Sequence, residues 1–312
     1  MSASPARPPF PPLLVIAFGI LATSTASIFI RYAQQDAPSL VIAALRLTIA
    51  SLVLAPLALT RHRAELRALT RRQTTLLVLS GIFLAIHFAT WISSLEYTTV
   101  ASSVVFVSTT PLWVALLTPL TVRERLGTAV WAGMTVALLG GTVIGLSDTC
   151  ILSRAGVQCP PLAEFVRGQA FLGDALALLG ALAAAAYILI GRSVRSKLSL
   201  IPYIFVVYGT AAITLLVVMT LAGQSAWGHP PPVYLWVTLL ALVPQLLGHS
   251  SFNWALRYIS AAYVAITLLG EPVGSTILAY FLLHETPGVL KILGAVMIFI
   301  GIVAASRAEA RP

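Results

Sequence analysis

The chain has 312 residues, of which 58% are hydrophobic and 9% charged, and its mean hydropathy is +0.94. Soluble domains carry about 25% charged residues, so this composition cannot build a water-facing surface, and a soluble globular enzyme, a disordered regulator and a fibrous protein are excluded. The net charge of +9 comes from 19 Lys and Arg against 10 Asp and Glu. The basic residues sit in short clusters between long apolar runs, the orientation pattern of a membrane protein rather than a nucleic-acid-binding stripe. No nucleic-acid partner is expected; the lipid bilayer and a small-molecule substrate are.

A bilayer-crossing helix needs about 20 apolar residues. Ten stretches qualify and are numbered here as spans one to ten: 13–31, 39–59, 76–95, 99–120, 127–146, 171–191, 201–222, 233–255, 260–283 and 288–306. They are continuous, rich in Ala and Leu, and lack the alternation of membrane strands, so an all-α membrane protein with ten helices is predicted. Residues 1–12 hold five prolines and are predicted to be a disordered tail. Span one is too long for a signal-peptide core and reads as a retained helix. Residues 307–312 form a second short tail.

Ten spans place both termini on one side, and the basic residues choose the side. With the N-terminus in the cytoplasm, most of the 19 fall on inner segments, including Arg61, Arg63, Arg67, Arg71, Arg72, Arg123, Arg125, Arg192, Arg195 and Lys197. The positive-inside rule therefore predicts a multi-pass protein of the cell inner membrane with both ends cytoplasmic. The 147–170 loop is then outside and carries Cys150 and Cys159. In an oxidising compartment the two are able to bridge, with two unpaired thiols as the alternative.

An internal repeat sets the architecture. A shift of 161 residues superposes Leu95 on Leu256, Tyr97 on Tyr258, Ala101 on Ala262, Pro111 on Pro272, Leu117 on Leu278 and Glu124 on Glu285. Gly127, Gly133 and Gly140 meet Gly288, Gly294 and Gly301, while Gly19 meets Gly180 and Arg31 meets Arg192. The repeats are predicted at 13–146 and 171–306. Each holds five spans, an odd number, so the second must enter the membrane from the opposite face. Inverted repeats are a transporter architecture with the substrate site between them near the midplane.

The segments "PLWVALLTPLTVRERLG" at 111–127 and "EPVGSTILAYFLLHETPG" at 271–288, together with "AALRLTIASLVLAP" at 43–56, resemble the EamA-type family of the drug/metabolite transporter superfamily. The resemblance covers about residues 13–306. It departs from the family at "VRERL", where a glycine usually precedes the glutamate. What it implies is a ten-helix fold with a central cavity that exports or exchanges small metabolites.

Individual residues sharpen this reading. Glu124 and Glu285 each precede a glycine helix start, and Thr286 and Pro287 add an N-cap and a first-turn proline, so both acids are expected to cap the following helix. The glycines at 133 and 140 and at 294 and 301, seven apart, and the strip Ala137, Gly141 and Gly145 are expected to let helices approach closely. Pro111 and Pro272 lie mid-span and free the carbonyls of Val107 and Leu268. Such breaks persist where neighbouring helices or a cavity satisfy the freed groups. Thr110 precedes the first and Glu271 the second. An acid within a span costs about 2.5–3.5 kcal/mol on insertion scales, so Glu271 is either the proton-coupling polar anchor of the transport site or the mate of Arg46 in span two.

Other cavity candidates follow from helical spacing. Gln245, His249 and Asn253 in span eight are four apart and share a face, as do His87 and Trp91 in span three. Thr23, Ser24, Thr25 and Ser27 in span one oppose Tyr187 in span six across the pseudo-symmetry, although hydroxyls in a membrane helix also bond back to their own backbone. The expected substrate-binding set is Glu271, His249, Asn253, Gln245, His87, Trp91, Thr110, Thr23, Ser24 and Tyr187.

No HExxH, P-loop or dinucleotide motif occurs, and no cofactor, catalytic residue or bound metal is expected. An intramembrane enzyme would have to draw on Ser275, beside Gly274, with His284. Nine residues of helix rise about 13 Å, too far for proton transfer. The reading is a secondary transporter that exports a small metabolite such as an amino acid, driven by protons or exchange. A lipid flippase, an intramembrane enzyme and a metal or drug efflux carrier are the alternatives, and homodimerisation is left open.

Overall fold

The computed structural model describes residues 8–121, scattered positions between 128 and 143, the segments 151–153 and 156–158, and residues 168–268 and 270–309. Glu124, Cys150, Cys159, Gly141 and Gly145 lie outside them, as does most of span five. Among the described residues seven helices are long and apolar enough to cross a membrane: Pro12–Ala33, Ser39–Arg61, Arg71–Tyr97, Val100–Thr118, Gln169–Arg195, Leu200–Leu221 and Pro231–Ala255. These are spans one to four and six to eight. The fold is therefore that of a multi-pass helical membrane protein, with seven of the ten expected spans met by this measure.

Span nine is two short helices, Ala261–Thr267 and Gly270–Leu282. Span ten is one helix of 21 residues, Val289–Glu309, whose side chains are described without a gap only as far as Gly301. The only strands among the described residues, Ile151–Ser153 and Gly156–Gln158, pair antiparallel as a small hairpin between the halves, a local exception to the all-α expectation.

The helices begin where the chain chemistry allows. Pro12 opens span one at a position whose N–H has no partner in any case. Span three starts at a capping box, with Thr70 accepting from the Gln73 backbone and the Gln73 side chain accepting from Thr70. Two acids cap helices that are not their own. Glu96 accepts from the Ser39 backbone and hydroxyl at the start of span two, and Glu65 accepts from the same two groups of Ser199 at the start of span seven.

The halves pack by exchange. Span one lies along span eight as span six lies along span three, while spans two and seven pack on each other. Side chains repeat the rule: a Cβ on Gly19 would sit against Ser251 and Phe252, and one on Gly180 against Thr90 and Trp91, which are their equivalents under the 161-residue shift. The glycine expectation holds at the crossing of spans five and ten, where a Cβ on Gly140 would come within 2.6 Å of the Gly294 carbonyl.

Span eight breaks the gap-free alignment. Its middle, Ala241–His249, is a π-helix around Pro244. Proline lacks the donor for the Leu240 carbonyl and clashes with it, and widening the turn by one residue relieves both. The burial pattern records the extra residue. Before the widening, buried Leu77, Ser80 and Gly81 match buried Val237, Leu240 and Ala241, a shift of 160. After it, Trp91, Ile92 and Leu95 match Phe252, Asn253 and Leu256, a shift of 161.

A candidate substrate cavity between the repeats

Spans four and nine are interrupted rather than kinked. Val100–Val107 ends, residues 108–109 turn, and Thr110–Thr121 begins with Pro111 in its first turn; Ala261–Thr267 and Gly270–Leu282 repeat the design with Pro272. The carbonyls freed by the prolines are taken locally. Val107 accepts the Thr110 hydroxyl at 2.8 Å, and Leu268 accepts the Glu271 backbone N–H at 2.9 Å.

Against these breaks lies a cavity of about 60 Å³. Its polar wall consists of His87, Trp91, Thr110, Tyr187, His249, Asn253 and Glu271, and Ser108, Pro111 and several aliphatic side chains complete it. Seven of the ten residues expected at the site are thereby brought together from spans three, four, six, eight and nine. His87 donates through Nδ1 to the Gly180 carbonyl at 3.0 Å and stacks on Trp91 at 5.8 Å between ring centroids. His249 meets the edge of Phe88 at 5.3 Å and stands 6.4 Å from the His87 ring. The Tyr187 hydroxyl donates to Asn253 Oδ1 at 2.6 Å, and Asn253 Nδ2 donates to the Tyr208 hydroxyl at 3.1 Å. The Trp91 indole N–H is buried and has no hydrogen-bond partner.

Three expected residues stand behind the wall. Gln245 is fully buried and accepts from Arg46 Nε at 3.0 Å. The π-turn is the reason: four residues no longer make one turn there, so Gln245 is rotated out of the stripe that His249 and Asn253 keep. Thr23 and Ser24 donate back to the Ile20 carbonyl at 3.2 and 2.8 Å, as hydroxyls in apolar helices do. They form the layer behind Glu271, with the Thr23 hydroxyl at its carboxylate and Ser24 Oγ 3.5 Å from its carbonyl.

Arg46 is completely buried but is not within ion-pairing distance of Glu271. Its guanidinium lies 4.1 Å over the Phe88 ring, and both terminal nitrogens lack a hydrogen-bond partner. Pro111 lines the cavity, but Pro272 does not. It faces away from the cavity into a larger apolar groove of about 370 Å³ between spans four, nine and ten.

Glu285 caps a different helix from the one expected. Its Oε2 accepts from the Val100 N–H at 3.0 Å, at the start of span four in the other half, and its Oε1 lies 3.6 Å from Arg31. His284 just before it has φ 56°, the left-handed conformation that ends the preceding helix, and the Glu285 N–H closes that end on the Ala279 carbonyl at 3.2 Å. Ser275 is buried and gives its hydroxyl to the Ser24 carbonyl, while His284 is exposed, so the one serine–histidine pair considered for catalysis is not assembled.

Tyr208, Phe88 and Ser108 were not singled out from sequence. Tyr208 carried a signal, a mid-span phenol with a second one, Tyr203, five residues before it; Phe88 and Ser108 carried none.

The comparisons bear on the family and the fold. The model of the EamA-like transporter family matches residues 11–146 and 171–307, one match per half. The uncharacterized transporter YdfC of Bacillus subtilis (strain 168) is 24% identical over 193 residues, 61% of this chain and 57% of that protein. The chain thus spans little more than half the length of that relative. An uncharacterized transporter of Archaeoglobus fulgidus is 24% identical over 284 residues, 91% of this chain and 92% of the relative. A solved crystal structure shares the fold with a TM-score of 0.66 at 19% identity, covering 95% of this chain and 96% of its own.

Proposed function

The chain belongs to the EamA-like transporter family, and on that premise we propose that this membrane transporter exports a small metabolite such as an amino acid across the cell inner membrane. Alternating access of the two halves, driven by protons or by exchange, moves the substrate, and both termini face the cytoplasm. The observation that carries the reading is Glu271. It is an acid at a helix break within the bilayer, on a cavity between the repeats, with no cation of the described residues within 4.0 Å. Burial favours its neutral form and a cation its ionised form, so a bound ammonium and a proton are alternative occupants of one carboxyl. Trp91 and Tyr187 supply aromatic faces suited to a cationic group, and Asn253 is held in place by Tyr187 and Tyr208. Arg46 acts on Glu271 through space without forming an ion pair with it, which is compatible with a carboxyl open to a substrate cation.

The test is transport into proteoliposomes under an imposed pH gradient across a panel of amino acids and amines. Glu271→Gln is expected to fold and insert as wild type and to lose proton-driven uptake by at least tenfold, with exchange partly retained. Wild-type transport with an unchanged pH profile in Glu271→Gln overturns the assignment. A cysteine replacing Ser2 is expected to resist an impermeant maleimide in intact cells; labelling there reverses the orientation.

A further inference from the structure

The cavity has a neighbour. The apolar groove of about 370 Å³ is lined by Val105, Ser108, Pro272, Thr276, Ala295 and Phe299, among others, from spans four, nine and ten. Its edge residues Val273, Ile277 and Phe299 are about half exposed on the outer surface of a protein whose helices are apolar throughout. It is therefore open to the hydrocarbon of the bilayer.

Two features join groove and cavity. Ser108, in the turn that interrupts span four, lines both. In the facing helix, consecutive residues divide between them, Glu271 on the cavity and Pro272 on the groove. Groove and cavity thus meet where both helices are broken, at Ser108 and at the step from Glu271 to Pro272. A continuous helix would place a full turn of side chains and a rigid hydrogen-bonded backbone there; here neither helix has one.

We propose that this pair of sites takes an amphipathic amine laterally from the membrane, with the ammonium at Glu271 and the alkyl tail in the groove beneath Ser108. The inference rests on the reading of Glu271 as the polar anchor and adds the chemistry of the rest of the ligand. A head group compact enough for a cavity of about 60 Å³ sits inside, and a chain too long for it passes between spans four and nine. The two spaces adjoin at Ser108, and that adjacency selects the tail of the same molecule as occupant of the groove.

The experiment is titration of the full chain in nanodiscs with n-alkylamines from butylamine to decylamine, after subtraction of partitioning into empty discs. Burying a methylene contributes about 0.8 kcal/mol, or roughly fourfold in affinity. Wild type is expected to bind more tightly by up to about fourfold per added methylene once the chain outgrows the cavity. Thr276→Trp fills the groove away from Glu271 and is expected to flatten that dependence while butylamine binds as before; Ala295→Phe does the same if the tryptophan variant fails to fold. Equal chain-length dependence in wild type and a folded groove variant overturns the inference and leaves the groove an ordinary lipid-facing furrow. Failure of wild type to bind decylamine also overturns it. Glu271→Gln separates the two claims: if it leaves butylamine binding unchanged the anchor reading fails, whereas the groove is judged by the slope alone.

Discussion

Gln34 and Arg195 occupy equivalent positions and perform the same act with different chemistry. Gln34 Nε2 donates to the Ile92 carbonyl at 2.8 Å, and Arg195 Nε, 161 residues later, donates to the Asn253 carbonyl at 2.9 Å. Donor and acceptor are both shifted by 161 residues, so the bond is common to the two halves. Each makes a second bond of its own: Gln34 Nε2 also donates to the Ser39 hydroxyl at 2.9 Å, and Arg195 Nη1 donates to the Leu198 carbonyl. Arg195→Gln is expected to keep the shared bond and cost about 1 kcal/mol, whereas Arg195→Leu should cost about 2–3 kcal/mol, since bonds to charged donors are the stronger ones. Melting temperatures of the purified variants would order them; equal loss in both would deny the equivalence.

The glycine pair gives a second expectation. A Cβ on Gly19 would lie 2.9 Å from the Phe252 ring, and one on Gly180 would lie 3.1 Å from Thr90 Oγ1. Gly19→Leu and Gly180→Leu are each expected to destabilise by about 1–3 kcal/mol through overpacking. Because the two contacts are related by the pseudo-symmetry, the double variant should show nearly additive losses. One variant melting as wild type would mean that its helix pair is not packed as described.

Glu285 joins the halves at one end of the molecule. Its ion pair with Arg31 at 3.6 Å is about a quarter exposed on both sides and is expected to contribute under about 1 kcal/mol, whereas the cap it gives the Val100 N–H is worth about 1 kcal/mol. Glu285→Gln, which keeps an acceptor, should therefore melt within about 1 kcal/mol of wild type, and Glu285→Ala should lose about twice as much. The reverse order would show that charge, not capping, holds this end together.

Glu65 provides a pH expectation outside the membrane. Burial alone would raise its carboxyl, but the Ser199 hydroxyl and backbone N–H, with His62 nearby, hold it below the usual glutamate range. A lowered folded-state value stabilises the protein above the unfolded pKa, and that contribution is lost as the pH falls through the folded value. Acidification through the carboxylate range is expected to loosen the contact between the 62–67 segment and span seven. Protease accessibility of that segment should rise at low pH in wild type and be pH-independent in Glu65→Gln. A wild-type profile that does not change with acid would contradict the cap.

Much of this was legible in the sequence because hydrocarbon leaves few solutions. Long apolar runs must be helices, and mid-span prolines must break them, so the interruptions beside Thr110 and Glu271 could be placed to the residue. Among the cavity residues, His87, Trp91, His249 and Asn253 followed from four-residue spacing, Thr110 and Glu271 from the prolines beside them, and Tyr187 from the comparison of spans one and six. Gln245 was misplaced because the spacing argument assumes 3.6 residues per turn, and Pro244 changes that locally. Thr23 and Ser24 were misplaced because a hydroxyl's choice between its own backbone and a cavity is decided by tertiary packing. Glu285 was given to the nearest helix in sequence, whereas the free N–H it serves lies in the other half. Arg46 was weighed as a mate for Glu271, but its partners, Gln245 and the Phe88 face, arise from contacts between spans that spacing does not encode.

The widened turn in span eight has a consequence for how this protein tolerates a change in length. Deleting a residue from an ordinary membrane helix turns everything beyond the cut by about 100° and swings a buried face toward lipid. Between Ala241 and His249 the opposite holds, because one residue is already in excess and the flanking faces are aligned as if it were not there. Removing Pro244 would turn the stretch into regular helix and leave Val237, Leu240, Phe252 and Leu256 facing the core they face now. A scan of single-codon deletions along 231–255 should thus find folded protein at this stretch and at few other positions, marking where the two copies parted in length.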